Sequence, residues 1–304
     1  MVSRLKAGVV GAGVFGGYHA EKYAQTTDVQ FAGVFDPHPE RARALAGAHG
    51  GSAFLTLKDL LSVVDIVSIA SPAATHGDVA LAALAAGCHV YVEKPIATTL
   101  EAADLIIGHA QRAHLTVACG FLERAVFRAM GLLAIPDAPL RMEAVRAGLP
   151  SPRNQDVSVV MDLMIHDLDL ACLLSGAEPL TVEAEGRRQS GGLWDSVSAD
   201  LVFENGFTAA IRATRDATER QRSMRLVYPT GDVEVDFLTH RFVNTTGHLL
   251  NPGFAETPEG LDRLGASLAA FIAAVRGEIP APLAGAADGV RALDLALAVE
   301  QAAC

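Results

Sequence analysis

Three glycines and an acid are the first residues of this chain whose types and spacing suggest chemistry. A mostly apolar run, Leu5-Lys6-Ala7-Gly8-Val9-Val10, enters Gly11-Ala12-Gly13-Val14-Phe15-Gly16, and Asp36 ends a second apolar run that begins at Val29. Strand, G-x-G-x-x-G turn, helix, strand and acid at this separation form the dinucleotide-binding fingerprint. Gly11 permits the tight turn, Gly13 lets the backbone approach a pyrophosphate, and Gly16 lets helix and strand pack closely. The pyrophosphate would sit on the N–H groups at the helix N-terminus, those of Val14, Phe15 and Gly16, where the dipole is positive. A carboxylate at Asp36 accepts hydrogen bonds from both ribose hydroxyls and repels a 2′-phosphate, so NAD is favoured over NADP. Arg41 and Arg43 lie near enough in sequence to rescue NADP, but they read more simply as solvated helix residues.

Two further groups can carry a reaction. Glu93-Lys94-Pro95 follows the apolar run Cys88–Val92. A lysine beside a cofactor cleft polarises a substrate oxygen and stabilises a developing alkoxide, and Glu93 can hold it in place. A solvated loop lysine is the alternative, and the motif's place at a strand end weighs against it. In Met161-Asp162-Leu163-Met164-Ile165-His166-Asp167-Leu168-Asp169, a helix would put Asp162 and His166 on one face, i and i+4, with Asp169 on the same side. An imidazole oriented by a carboxylate suits proton removal from an alcohol as hydride leaves. An ordinary Asp–His pair on a wet helix face fits the same residues equally well. Ser71, Pro72 and His76 also follow a predicted strand, with His76 a candidate for the nicotinamide end and, like His19, a candidate for a backbone or packing role. The arginines at 212, 215, 220, 222 and 225 can bind a diphosphate, but strand periodicity sends them to mixed faces. Trp194 reads as a packing or interface residue.

Composition narrows the class. The chain has 304 residues, half of them hydrophobic, and a net charge of −11 that argues against a nucleic-acid partner. Its four lysines, Lys6, Lys22, Lys58 and Lys94, all lie in the first third. Cys88, Cys119, Cys172 and Cys304 have neither zinc-ligand nor disulfide-framework spacing, so no metal is expected. Reduced, scattered thiols, no signal-like start and no apolar stretch of membrane-spanning length give the expectation of a cytoplasmic protein without a membrane partner.

The elements that would position these residues alternate strand and helix through the first 120 residues. Strands are expected near 5–10, 29–35, 52–55, 65–70, 88–92 and 115–119. Such a pattern implies a parallel sheet covered on both faces, with ligands at the carboxyl ends of its strands. Beyond 120 come a helix at 124–134, a strand at 140–147, an irregular stretch over 149–155, a helix at 158–174, several alternating strands, and two closing helices near 259–276 and 285–302. The fold expected is an α/β Rossmann domain, 1–120, followed by an α+β domain, 121–304, with a largely antiparallel open sheet. One face of that sheet needs covering, which suggests a homodimer or homotetramer.

Taken together these motifs resemble the glucose–fructose oxidoreductase/inositol dehydrogenase/rhizopine-catabolism oxidoreductases. The resemblance spans essentially the whole chain and rests on Gly11–Gly16 with His19, Ser71-Pro72-Ala73-Ala74-Thr75-His76, the run Ala85–Pro95 ending in Glu93-Lys94-Pro95, and Asp162-x-x-x-His166. It implies Lys94, Asp162 and His166 as catalytic residues, His166 as general base, a cis peptide before Pro95, and a sugar or nucleotide sugar as substrate. The wording around Asp156–Asp167 is similar to the branch of UDP-N-acetylglucosamine 3-dehydrogenases, which would make C3 of that sugar the oxidised carbon. A free-sugar or inositol dehydrogenase, a glycosidase that oxidises transiently and regenerates its NAD, and a non-catalytic NAD-binding sensor are the alternatives. One departure stands out. Where many relatives carry an H-x-x-R-F-N-P-like segment, this chain has Phe121-Leu122-Glu123-Arg124-Ala125-Val126-Phe127, and only Arg124 persists.

Overall fold

A computed structural model of the chain describes residues 4–150, 157–189 and 192–304. The chain divides into two compact units, Met1–Leu122 with Asp262–Val290, and Glu123–Leu261 with Arg291–Cys304. Most of the irregular stretch expected at 149–155, and Asp156, lie outside the described residues.

The first unit is built from β1 (Leu5–Val10), α1 (Val14–Gln25), β2 (Val29–Phe35), α2 (Pro39–His49), β3 (Ser52–Phe54), α3 (Leu57–Leu61), β4 (Ile66–Ile69), α4 (His76–Ala85), β5 (His89–Val92), α5 (Leu100–Ala113) and β6 (Val117–Cys119). Its sheet is parallel throughout, in the order β3-β2-β1-β4-β5-β6. Ala7, Val9, Val34, Ile66, Val67 and Ile69 are buried in its strands. This is the continuous apolar signature of a sheet covered on both faces. The order reverses between β1 and β4, and such a switch point opens a crevice at the strands' carboxyl ends.

The second unit contains α6 (Glu123–Met130), β7 (Arg141–Ala147), a π turn over Val160–Met164, α7 (Ile165–Ser175), β8 (Pro179–Arg187), β9 (Ser196–Phe203), β10 (Thr208–Thr214), β11 (Gln221–Tyr228), β12 (Gly231–Asp236), β13 (Arg241–Asn244) and α8 (Pro258–Leu261). Two helices follow, α9 (Arg263–Val275) in the first unit and α10 (Ala286–Ala302), which crosses from the first unit into the second. The seven-stranded sheet runs β13-β12-β11-β7-β10-β9-β8 and is antiparallel except for the β7–β10 pair. Burial alternates strictly along β9, with Val197, Ala199, Leu201 and Phe203 buried and Ser198, Asp200 and Val202 exposed. One face therefore packs against the π turn and α7, and among the described residues the other carries the exposed side chains of β9.

The units do not follow a single cut at residue 120. Helix α9 returns to the first unit because its apolar face, Leu264, Leu268 and Phe271, joins the cluster that contains Tyr91 and Val34. Tyr91 meets Phe271 edge-to-face at 5.8 Å and shares a 2.9 Å hydrogen bond with Ser267. Asp262 caps the helix by accepting from Gly265 N at 2.9 Å, and pairs with Lys22 at 2.9 Å. The predicted helix at 158–174 also differs in detail. Its first turn is π, and Ser158 Oγ caps it by accepting from Val160 N and Met161 N at 3.1 and 3.3 Å.

Candidate active site

Strands β1, β2, β4 and β5 end at Val10, Phe35, Ile69 and Val92, so the glycine turn, Asp36, Ser71-Pro72 and Glu93-Lys94-Pro95 all leave the same edge of one sheet. Gly11 adopts φ +98°, and a Cβ at Gly16 would stand 1.8 Å from Gly11 O, so neither position accepts a side chain. A Cβ at Gly13, in contrast, would meet nothing within 4 Å. Gly13 is also the N-cap of α1, with no side chain capping the helix. The N–H groups of Val14, Phe15 and Gly16 thus begin a helix in front of open space, and this arrangement fits the pyrophosphate of a dinucleotide.

The loops along this edge are tied to one another. Asp36 is buried, and its Oδ2 accepts from Ala12 N at 2.7 Å while Oδ1 accepts from His38 N at 2.8 Å. It therefore links the end of β2 to the glycine turn and keeps lone pairs for ribose hydroxyls. His76 is buried, with Nδ1 2.7 Å from Pro95 O and Nε2 2.8 Å from Ser71 O. Both its nitrogens are thus engaged by backbone, and it fastens the Ser71-Pro72 loop to the E-K-P turn. His19, fully buried on α1, donates from Nε2 to Glu93 Oε1 at 2.8 Å and stacks edge-on against Tyr91. Glu93, expected to hold Lys94, is thus held by the fingerprint helix. It also fills the space beside Gly120, where a Cβ would lie 2.6 Å from its Oε2. Lys94 itself is half-buried, and the Lys94–Pro95 peptide is cis.

In the second unit the ionisable residues form a buried cluster. His166 Nδ1 lies 2.9 Å from Glu123 Oε2. Glu123 Oε1 accepts from Arg146 Nη1 at 2.8 Å, and Arg146 forks onto Asp167 at 3.0 and 2.8 Å. Arg124 forks onto Asp169 at 2.8 and 2.6 Å. Bidentate pairs of this kind fix both partners' orientation. Burial alone would raise the Glu123 carboxyl, but the charges of His166 and Arg146 and the hydrogen bond from Arg146 outweigh it and hold Glu123 well below the usual carboxylate range. Burial likewise opposes the Arg146 charge, and Asp167 and Glu123 more than offset it.

Some sequence expectations change here. Asp162 lies within the π turn, and a π turn takes one residue more than an α turn. The i, i+4 register that paired it with His166 therefore does not carry over unchanged. Asp169 faces Arg124 in the interior, so Arg124 is a buried structural partner. Of the five arginines, Arg215 pairs with Asp195 at 2.8 Å and Arg225 with Asp232 at 2.6 Å. Trp194 packs under the Arg188 guanidinium at 3.7 Å. Glu123 and Arg146 were missed. The only signal was Glu123's place in the segment that departs from the relatives, and nothing local links it to β7 or α7.

Among the described residues, no helix is long and apolar enough to cross a membrane, and no cluster of three or more His, Cys, Asp or Glu side chains has metal-holding geometry. Residues 5–121 match the family model described as oxidoreductase family, NAD-binding Rossmann fold, and 150–234 match that of the GFO/IDH/MocA C-terminal domain. A UDP-N-acetylglucosamine 3-dehydrogenase from Acidithiobacillus ferrooxidans is 41% identical over 256 residues, 84% of this chain and 79% of that protein. A solved structure of that enzyme superposes with a TM-score of 0.88 at 37% identity, covering 99% of this chain and 98% of the other. An inositol 2-dehydrogenase from Rhizobium meliloti is 27% identical over 90% of this chain and 96% of its own length. The expected two-part fold, the NAD-binding turn and these matches agree: the chain belongs to the GFO/IDH/MocA family of NAD-dependent oxidoreductases.

Proposed function

We propose that the chain oxidises a secondary hydroxyl of a nucleotide sugar, C3 of UDP-N-acetylglucosamine, with NAD as the hydride acceptor. The observation that carries this reading is the near-full-length likeness to the Acidithiobacillus ferrooxidans enzyme, 37% identical with 99% of this chain covered. Gly11, Gly13, Val14, Phe15 and Gly16 hold the pyrophosphate, Asp36 the adenosine ribose, and Ser71, Pro72, Glu93 and Lys94 border the nicotinamide end, with His76 positioning the loops there. Lys94 supplies positive charge to the reacting oxygen, His166 takes its proton, and Asp162 supports the base. Bound NAD would supply the hydride acceptor. The protein acts in the cytoplasm as a homodimer or homotetramer through the open face of the β7–β13 sheet, a face that carries exposed Val202 and that a second copy would cover. The mass in solution by light scattering tests the oligomer.

The test of the substrate is NADH formation with UDP-N-acetylglucosamine, free N-acetylglucosamine, inositols and simple glucosides side by side. Turnover confined to the nucleotide sugar is expected. Turnover with inositol alone would favour the second reading, a free inositol dehydrogenase, for which the Rhizobium meliloti relative speaks. Release of a glycosidic leaving group without net NADH would indicate the transient-oxidation glycosidase, and NAD binding without turnover of any sugar the sensor.

Cofactor choice is a separate prediction. Asp36→Ser removes the carboxylate that accepts from Ala12 N at 2.7 Å and the charge that repels a 2′-phosphate. NAD should bind more weakly, and discrimination against NADP should relax. Fluorescence titration of both cofactors checks this, and tighter NADP than NAD binding by the wild type would refute it.

A further inference from the structure

The buried cluster around His166 has a charge count that bears on catalysis. Glu123, Asp167 and Asp169 contribute three negative charges, and Arg124 and Arg146 two positive ones. With a neutral His166 these five residues sum to one negative charge; with an imidazolium the six sum to zero. The Glu123 carboxylate 2.9 Å from the ring nitrogen favours the protonated ring. That is the state a base reaches after it has taken a substrate proton. Other ionisable residues of the elements packed here include Asp162, which shares the segment with His166, Cys172 on α7, which feels the charges of Asp169, Arg124 and Arg291, Arg222 of β11, which stands opposite Arg146 in register, and Arg212 of β10. Arg212 is exposed between the inward-facing Ile211 and Ala213.

We propose that Glu123 is the residue that positions His166 and matches its charge. Its Oε2, 2.9 Å from Nδ1, favours the tautomer protonated there and leaves the Nε2 lone pair for the substrate hydroxyl, and Glu123 is itself held by Arg146, which Asp167 anchors. When Nε2 takes the alcohol proton, the ring becomes an imidazolium paired with a carboxylate that stays ionised. The inference rests on the reading of His166 as base. Glu123 touches neither substrate nor reacting atom in this scheme; it works only through the histidine. Because the Glu123 carboxyl is held well below its ordinary range, it does not titrate where the ring does, so the acid limb of activity reports His166.

The experiment compares wild type, Glu123→Gln, Glu123→Asp and His166→Asn, with Glu123→Gln also made in the His166→Asn background. Glutamine keeps the shape but removes the negative charge that faces the ring. Glu123→Gln should therefore lower kcat by roughly tenfold to a hundredfold, within the worth of the base it serves. It should shift the acid limb to lower pH and leave KM and NAD binding nearly unchanged, with Glu123→Asp recovering part of the rate. In the His166→Asn background it should cost nothing further. Nitrogen chemical shifts of His166 in labelled protein should show the Nδ1–H tautomer in wild type and a mixture in Glu123→Gln. An unmoved limb, or an equal rate loss in both backgrounds, would overturn the proposal by reducing Glu123 to a packing partner. If Glu123→Gln does not fold, the wild-type tautomer and Glu123→Asp decide, and an Nε2–H ring would refute the assignment. Wild-type activity in His166→Asn would sink the base reading instead, while the tautomer spectra would still test Glu123's hold on the ring.

Discussion

Lys94→Ala is expected to lose roughly a hundredfold or more in turnover while binding NAD nearly as tightly as the wild type. A charge aimed at an oxygen that becomes negative during the reaction is worth most when it is fixed in place beforehand. Both neighbours of Lys94 are fixed here. Glu93 is held by His19 at 2.8 Å, and the carbonyl of Pro95 by His76 at 2.7 Å. The backbone is also anchored at the strand end, where Glu93 N donates to Ile69 O at 2.9 Å and Gly120 N to Val92 O at 2.9 Å. Removing the ammonium group leaves this framework and the glycine turn intact, so cofactor affinity has no reason to change. Steady-state turnover together with an NAD fluorescence titration separates the two effects. Wild-type turnover in Lys94→Ala would make Lys94 an ordinary loop residue, and a large loss of NAD affinity would move its role to the cofactor.

The first unit is legible in the sequence because its signals are local. Parallel strands buried on both faces read as short apolar runs, and each motif at a strand end is set by its strand's position. Leu5–Val10, Val29–Phe35 and Gly11–Gly16 lie where the pattern puts them. What escaped depends on partners far along the chain. Helix α9 is amphipathic, but nothing in residues 263–275 says that its apolar face belongs with Tyr91 and not with the sheet that precedes it. The π turn escaped because Asp162 and its neighbours have an ordinary helical composition, and the extra residue shows only in the hydrogen-bond pattern. The Glu123 carboxylate at His166 escaped because it lies far away in the sequence. Asp162 is close in sequence and Glu123 is not, yet Glu123 opens a helix whose first turn faces Arg146 and α7. His76 and His19 were readable as packing or backbone residues, but not as the two clamps on either side of Lys94.

The largest effect of all is expected from His166→Asn, which should slow oxidation by roughly a hundredfold to ten-thousandfold, the usual worth of a positioned acid or base. A base must be neutral to take a proton, so wild-type oxidation should fail on the acid side as the imidazole protonates, and the asparagine variant should lack that limb. Asparagine preserves a hydrogen-bonding group toward Glu123 without a titratable ring, so the fold should survive better than with an apolar replacement. Burying Glu123 without its histidine partner still leaves it Arg146 at 2.8 Å. Asp162→Asn should cost less than His166→Asn if the carboxylate in the π turn only supports the base. The deciding measurement is a pH–rate profile for wild type and His166→Asn with the same sugar. An acid limb that persists unchanged in the variant would place the base elsewhere, and Lys94 would be the next residue to test. Loss of the limb with only a few-fold fall in rate would instead mean that water replaces the imidazole and that the charge of Lys94 carries most of the catalysis.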